Sequence, residues 1–125
     1  MNFRSIARVI SAPQVMMGPI QLRQPIPIQG INQVSPFVLL HHFDLSFEPG
    51  HVEFEVPPHP HSGFCPVTLL FEGGVEHKDS LGNISVIKSN EVQWINAGRG
   101  IIHSEEASPD FKQHGGRLQG IQIVD

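Results

Sequence analysis

The fold is decided by the segment that opens on Pro57-Pro58-His59-Pro60-His61 and closes on Gly98-Arg99-Gly100-Ile101-Ile102-His103-Ser104-Glu105. Each end carries two metal-binding side chains two residues apart, His59 with His61 and His103 with Glu105. In an extended strand, residues i and i+2 point to the same face of the sheet. If the two strand ends meet, three imidazoles and one carboxylate converge on a single point.

This set of donors is typical of a metal site with open coordination positions. Neutral imidazole suits iron, copper, nickel and zinc, and a carboxylate favours the harder of these ions. A closed structural zinc site more often uses cysteine. A His-x-His pair alone is weak evidence, so ordinary hydrogen-bonded histidines stay open as the alternative. The later His-x-Glu pair favours the metal.

The other candidate side chains have simpler interpretations. We expect His41 and His42, at the end of an apolar run, to serve in the core or in support of the site. Cys65 is predicted to be a small buried residue rather than a ligand, and Trp94 a core residue. The histidines expected to be solvated or hydrogen-bonded are His51, His77 and His114, of which His77 could reach the site mouth.

Composition limits the class of protein. A chain of 125 residues predicts one domain, and a net charge of −4 argues against nucleic acid as a partner. The single cysteine excludes an internal disulfide and fits a reducing compartment. The first ten residues contain no apolar segment long enough for a signal sequence or a membrane span. We therefore expect a cytoplasmic protein with no membrane partner.

Short apolar or alternating runs, separated by Gly and Pro, predict an all-β fold. Pro-rich residues 13–36 are expected to be irregular apart from an edge strand at 20–22, and residues 107–116 to form a polar loop. The predicted strands are 3–10, 37–43, 52–56, 66–72, 75–78, 84–88, 92–95, a strand starting at 101, and 118–124. Many short strands at this spacing predict an antiparallel barrel or sandwich.

Three motifs identify a family. They are His59-Pro60-His61-Ser62-Gly63-Phe64, then Phe71-Glu72-Gly73-Gly74-Val75-Glu76-His77-Lys78-Asp79-Ser80-Leu81-Gly82-Asn83, then Gln93-Trp94-Ile95-Asn96-Ala97 leading into the closing motif. In order and spacing they closely resemble pirins of the cupin superfamily, and the resemblance covers about residues 5–123. It implies a single cupin barrel, a jelly-roll-like double-stranded β-helix.

The resemblance also implies a site and a reaction. The ligands would be His59, His61, His103 and Glu105, holding one divalent metal ion. Iron is the first expectation, with Mn, Ni, Cu, Zn and Co as alternatives. Bacterial pirins are often described as quercetin 2,3-dioxygenases, in which a flavonol binds the metal and dioxygen opens its central ring with release of carbon monoxide. Glu105 would be the catalytic base that takes the flavonol hydroxyl proton.

Other implied functions are a non-enzymatic, iron-dependent regulator that binds a protein partner, and an inactive truncated pirin. Pirins usually have two cupin domains, and residues 1–125 correspond to the first, so we expect the second to be absent. A face normally covered by that second domain would then favour a homodimer. Ser62 and Cys65 differ from the residues usual at these positions and lie beside the site, where they can alter it indirectly.

Overall fold

Strands dominate the structure, a computed structural model that describes residues 3–125. Met1 and Asn2, the first residues of the predicted domain, lie outside that range. The elements are β1 (Gln14–Met17), β2 (Ile20–Ile26), β3 (Leu39–Phe47), β4 (Glu55–His61), β5 (Pro66–Glu72), β6 (Gly74–Asp79), β7 (Ile84–Lys88), β8 (Glu91–Trp94), β9 (Ile101–Ala107), α1 (Pro109–His114) and β10 (Gly116–Val124). Within the described residues, no helix is long and apolar enough to cross a membrane.

The strands form two antiparallel sheets. The larger has the order β1-β2-β3-β10-β5-β8, and the smaller has the order β4-β9-β6-β7. The last strand, β10, thus lies in the middle of the larger sheet, between β3 and β5. In the smaller sheet, β4 pairs with β9 and β9 with β6, which brings the two ends of the 59–105 segment side by side.

One hydrophobic core joins the two sheets. Leu70 of β5 and Leu118 of β10 are almost fully buried, and they belong to the same cluster as Val75 of β6 and Ala107 of β9. Strand residues that alternate in burial, such as those of β9, place one face against this core and leave the other open. The all-β cupin architecture predicted from the sequence is confirmed.

Most of the predicted strands are present, with shifted ends. Strand β5 has the predicted bounds, the 84–88 strand is β7, and the predicted strand at 37–43 lies at Leu39–Phe47. The strand predicted at 52–56 begins only at Glu55 and continues through the two histidines. The irregular 13–36 segment holds a hairpin, β1 and β2, rather than one short edge strand.

Two secondary-structure predictions, for residues 3–10 and 107–116, were wrong. Residues 3–10 form no strand; Phe3, Ile6 and Val9 are spaced by three and are all exposed, so they cannot line one face of a sheet. The 107–116 segment is not a loop throughout but contains α1. The Ser108 side chain caps this helix by accepting a hydrogen bond from the Phe111 backbone N–H, and a proline begins it.

Candidate metal centre

The pairing of β4 with β9 builds the histidine cluster. His59 is the register partner of His103, and His61 lies two residues further along the same strand. The strand period therefore turns all three rings to one side. Their ring centroids are 4.4 Å apart for His59 and His103, and 4.9 Å apart for each pair that includes His61. The structure thus brings together three of the four predicted ligands.

Hydrogen bonds orient the ring of His59. Its Nδ1 lies 2.8 Å from the carbonyl oxygen of Pro57, which can only accept, so Nδ1 carries the proton and Nε2 carries a lone pair. That Nε2 lies 2.9 Å from Nε2 of His103. Two ring nitrogens at this distance need a proton or a metal ion between them. Nitrogens bound at right angles to one ion, at about 2.1 Å each, lie about 3.0 Å apart.

Burial favours the neutral form of two of these rings, His61 and His103. His103 is 1% exposed, and desolvation, reinforced by the neighbouring imidazoles, lowers its pKa to about 4. Desolvation and the charge of His59 also lower the pKa of His61. A neutral imidazole is the form that binds a metal, because protonation occupies the lone pair. His59 and His61 are only half-buried, so they form the side of the cluster that is open to solvent.

Glu105 lies on the inner side of His103. Its potential ligand atoms group with those of His77 and His103, all within 4.8 Å of one another, whereas His59 and His61 group with His103 separately. Glu105 is 6% exposed, and Oε1 accepts no hydrogen bond from the described part of the chain. Burial raises the pKa of this carboxyl group, with His59, His77 and Gln122 acting in the opposite direction.

The carboxylate of Glu105 borders an interior cavity. Most of the lining is apolar, and its polar members besides Glu105 are His41, Thr68 and Gln122. The free space in the barrel interior accommodates roughly one water-sized molecule. His41 donates through Nε2 to Oε1 of Gln24 at 2.8 Å, so it supports the cavity wall, as predicted for a histidine near the core.

The residues present fit a divalent metal ion. Three imidazoles face one another across one point, and the buried carboxylate of Glu105, two residues along β9 from His103, has an oxygen with no described partner. A buried carboxylate without a partner is costly, and coordination to a cation satisfies it.

The 98–100 turn is hydrogen-bonded to the end of β4, beside the site. The Ser62 hydroxyl donates to the backbone carbonyl of Arg99 at 3.2 Å, and the Gly63 N–H donates to that of Gly98 at 2.9 Å. Ser62 therefore ties the end of β4 to the turn that precedes β9. Cys65 lies in the link to β5 and is only half-buried, less than the small buried residue predicted.

Three residues behind the site were not predicted to belong to it. His77, predicted to be solvated or hydrogen-bonded, is buried and contacts His103, Asp79 and Gln93. A signal was available, because Asp79 is two residues after His77 and shares its face once the strand predicted at 75–78 extends by one residue. What could not be read locally is that this strand pairs with β9 and faces His103.

The family model for Pirin matches residues 19–124. The chain belongs to the pirin family. A pirin-like protein of Caulobacter vibrioides is 40% identical over 116 residues, which make up 91% of this chain and 40% of that protein. The chain thus spans about two fifths of the length of this curated relative.

Solved pirin structures share the fold. A quercetin 2,3-dioxygenase from Acinetobacter baumannii has a TM-score of 0.80 at 36% identity, covering 90% of this chain and 40% of that one. A bacterial pirin from Escherichia coli, solved in complex with nickel(II), has a TM-score of 0.73 at 24% identity and covers 90% of this chain and 47% of its own. At that identity the second likeness concerns the fold alone.

Proposed function

We propose that the chain binds one divalent metal ion, iron in the first place, through His59, His61, His103 and Glu105, and catalyses the 2,3-dioxygenation of a flavonol. The observation that carries the proposal is the convergence of three imidazoles beside a buried carboxylate, one oxygen of which has no hydrogen-bond partner among residues 3–125. Its likeness to a quercetin 2,3-dioxygenase supports the choice of substrate. The single, half-buried cysteine supports a cytoplasmic setting.

Glu105 is the proposed general base. A bound metal ion would supply Lewis-acid activation of the flavonol hydroxyl and carbonyl groups and access to dioxygen chemistry. The chain itself must remove the hydroxyl proton. Burial raises the pKa of Glu105 from its usual value, which brings its basicity closer to that needed near neutral pH. The Glu105 carboxylate is the group that would receive the proton.

The flavonol ring system is expected to lie at the mouth. The interior cavity admits only a water-sized molecule, so three fused and linked rings cannot enter it. The half-buried His59 and His61 leave the outer side of the cluster accessible. The hydroxyl and carbonyl end would point toward the histidines, and the outer ring would remain in solvent. Flavonols that differ only in outer-ring hydroxyl groups should therefore react at rates within about tenfold of each other.

Turnover is tested with iron(II)-loaded protein and quercetin in a closed oxygen-electrode cell, with carbon monoxide measured in the same sample. We expect one dioxygen consumed for each carbon monoxide released. A flavone without the 3-hydroxyl group is the matched control and should not react. If iron-loaded protein consumed no dioxygen above the metal-free control, the enzymatic function would be rejected.

A second candidate function is that of a protein-interaction module. Val92 and Trp94 are 54% and 72% exposed on the same face of β8, the edge strand of the larger sheet. Trp94 was predicted to lie in the core. That prediction was wrong, because Trp94 is exposed on an edge strand of the sheet. Exposed apolar side chains on an unpaired edge favour association with another chain. We infer a second copy of this chain as the partner.

A further inference from the structure

A line of buried polar side chains extends behind His103, on the side away from His59. Nδ1 of His103 lies 3.2 Å from Nδ1 of His77, and Nε2 of His77 lies 2.9 Å from Oδ2 of Asp79. The register of β6 on β9 sets this order, because His77 is opposite Glu105 and Asp79 is opposite His103. His77 is 4% exposed, so water does not compete for these contacts.

The β6–β7 turn holds Asp79 in one orientation. Its Oδ1 accepts from the backbone N–H of Leu81 at 2.9 Å and from that of Asn83 at 3.1 Å, and the Asn83 amide nitrogen also donates to it at 3.1 Å. Oδ2 accepts from the Asn83 amide nitrogen at 3.0 Å and from Nε2 of His77. The hydrogen bonds from His77 and Asn83 hold the pKa of the Asp79 carboxyl well below its usual range. Asp79 is therefore a fixed anion that can only accept, and His77 Nε2 must carry a proton.

His77 is not placed to be a ligand itself. Its Nε2 is engaged by Asp79, and its Nδ1 lies 2.9 Å from the amide nitrogen of Gln93 as well as 3.2 Å from His103. The group formed by His77, His103 and Glu105 therefore does not offer a second metal site, because Asp79 engages Nε2 of His77 and Gln93 and His103 both face its Nδ1. With the proton on Nε2, Nδ1 is an acceptor that the Gln93 amide and the ring of His103 share.

We propose that Asp79 and His77 are positioning residues that fix the ring of His103 with Nε2 directed at the metal position. When Nε2 is a ligand, the ring proton is on Nδ1, and a metal-bound histidine normally donates that proton to a neighbouring group. His77 Nδ1 is that group here, and Asp79 keeps it an acceptor by holding the His77 proton on Nε2. The inference rests on the proposed metal site and deepens it.

D79N tests the relay without removing the turn. Three N–H donors surround Oδ1, so the amide oxygen stays with the turn and the amide nitrogen takes the place of Oδ2. The amide nitrogen of the new asparagine then donates to Nε2 of His77, so the His77 proton moves to Nδ1. There it would face the Nδ1 proton of a metal-bound His103, and the two protons would repel each other. We expect ¹⁵N-histidine NMR of the metal-free 125-residue protein to show a proton on Nε2 of His77 in wild type and not in D79N. Calorimetry should show zinc(II) binding 10–100-fold weaker in D79N.

N83A is the matched control, because it removes a donor from the same carboxylate but leaves the contact of Asp79 with His77. Its His77 proton should stay on Nε2, and its zinc(II) affinity should stay within about twofold of wild type. Equal weakening in N83A and D79N, or an unchanged affinity in D79N, would overturn the relay and leave the proposed function standing. Failure of the wild-type protein to bind zinc(II) would instead reject the metal site, and the relay with it.

Discussion

At the scale of single residues, Glu105 and Glu106 are neighbours with opposite environments. Glu105 is buried beside His103, whereas the side chain of Glu106 lies on the other face of β9 and pairs with Lys78 at 2.6 Å. We expect E105Q to lower flavonol turnover by about 10²–10⁴-fold, because the amide keeps the shape and one oxygen but cannot accept a proton. Steady-state oxygen consumption at matched metal content measures this effect.

E106Q is the control for that change, since it alters the adjacent carboxylate without reaching the site. Its turnover should stay within about twofold of wild type. Turnover in E105Q equal to that in E106Q would contradict the role of Glu105 as the base.

The sequence predicted the convergence of His59, His61 and His103, because spacing by two on a strand leaves no choice of face. It could not predict that Glu105 lies toward the interior and His77 behind His103. Those positions depend on the register between β6 and β9, which joins residues distant in the chain. Local periodicity contains no information about such a pairing.

At the scale of elements, β10 depends on a glycine at its centre. A Cβ atom on Gly120 would lie 2.5 Å from Cζ of Phe43 and 2.7 Å from the carbonyl oxygen of Leu69. Because β10 lies between β3 and β5, neither neighbour can move without opening the larger sheet. We expect G120A to lower the free energy of unfolding by roughly 3 kcal/mol, measured by urea denaturation.

The comparison for that variant is G18A in the β1–β2 turn. Gly18 has a φ of +58° and nothing within 4 Å of an added Cβ atom, so the cost is conformational only, about 1 kcal/mol. Equal losses in the two variants would show that close packing at Gly120 does not stabilise the sheet.

Local sequence patterns predicted longer strands with clear boundaries correctly and missed the shortest elements. β5 was predicted with its true bounds because an apolar run is enclosed by Pro66 and the Gly73-Gly74 pair. α1 was missed because six residues are too few to show a helical period, and only the Ser108 cap signalled it. β1 was missed because the prolines around it masked a four-residue strand.

At the scale of the whole molecule, the exposed edge of the larger sheet predicts self-association. The double variant V92S/W94A should shift the protein from dimer to monomer, because it removes the exposed apolar pair from β8. Sedimentation velocity over a range of concentrations measures this shift. The control is L81S, which alters a 77%-exposed side chain in the β6–β7 turn of the other sheet and should leave the dimer intact. A wild-type protein that is monomeric throughout would contradict the prediction.

The fold class followed from the sequence, but the order of the strands did not. Alternation and turn signals give a set of short strands, whereas the central position of β10 is set by pairing with strands far earlier in the chain. The exposure of Trp94 depends on which face of β8 packs inward: Gln93 contacts the buried His77, so Trp94, one residue further on, points to the opposite face.

The central claim is that the histidine cluster binds one divalent ion, and anaerobic iron(II) titration with metal analysis tests it most directly. We predict one equivalent for the wild-type protein, at least about 100-fold weaker binding in H59A and H103A, and wild-type binding in H114A, whose imidazole is exposed on α1. Circular dichroism confirms that each variant is folded. Wild-type protein that binds well below one equivalent, or H59A and H103A that bind as tightly as H114A, would contradict the claim.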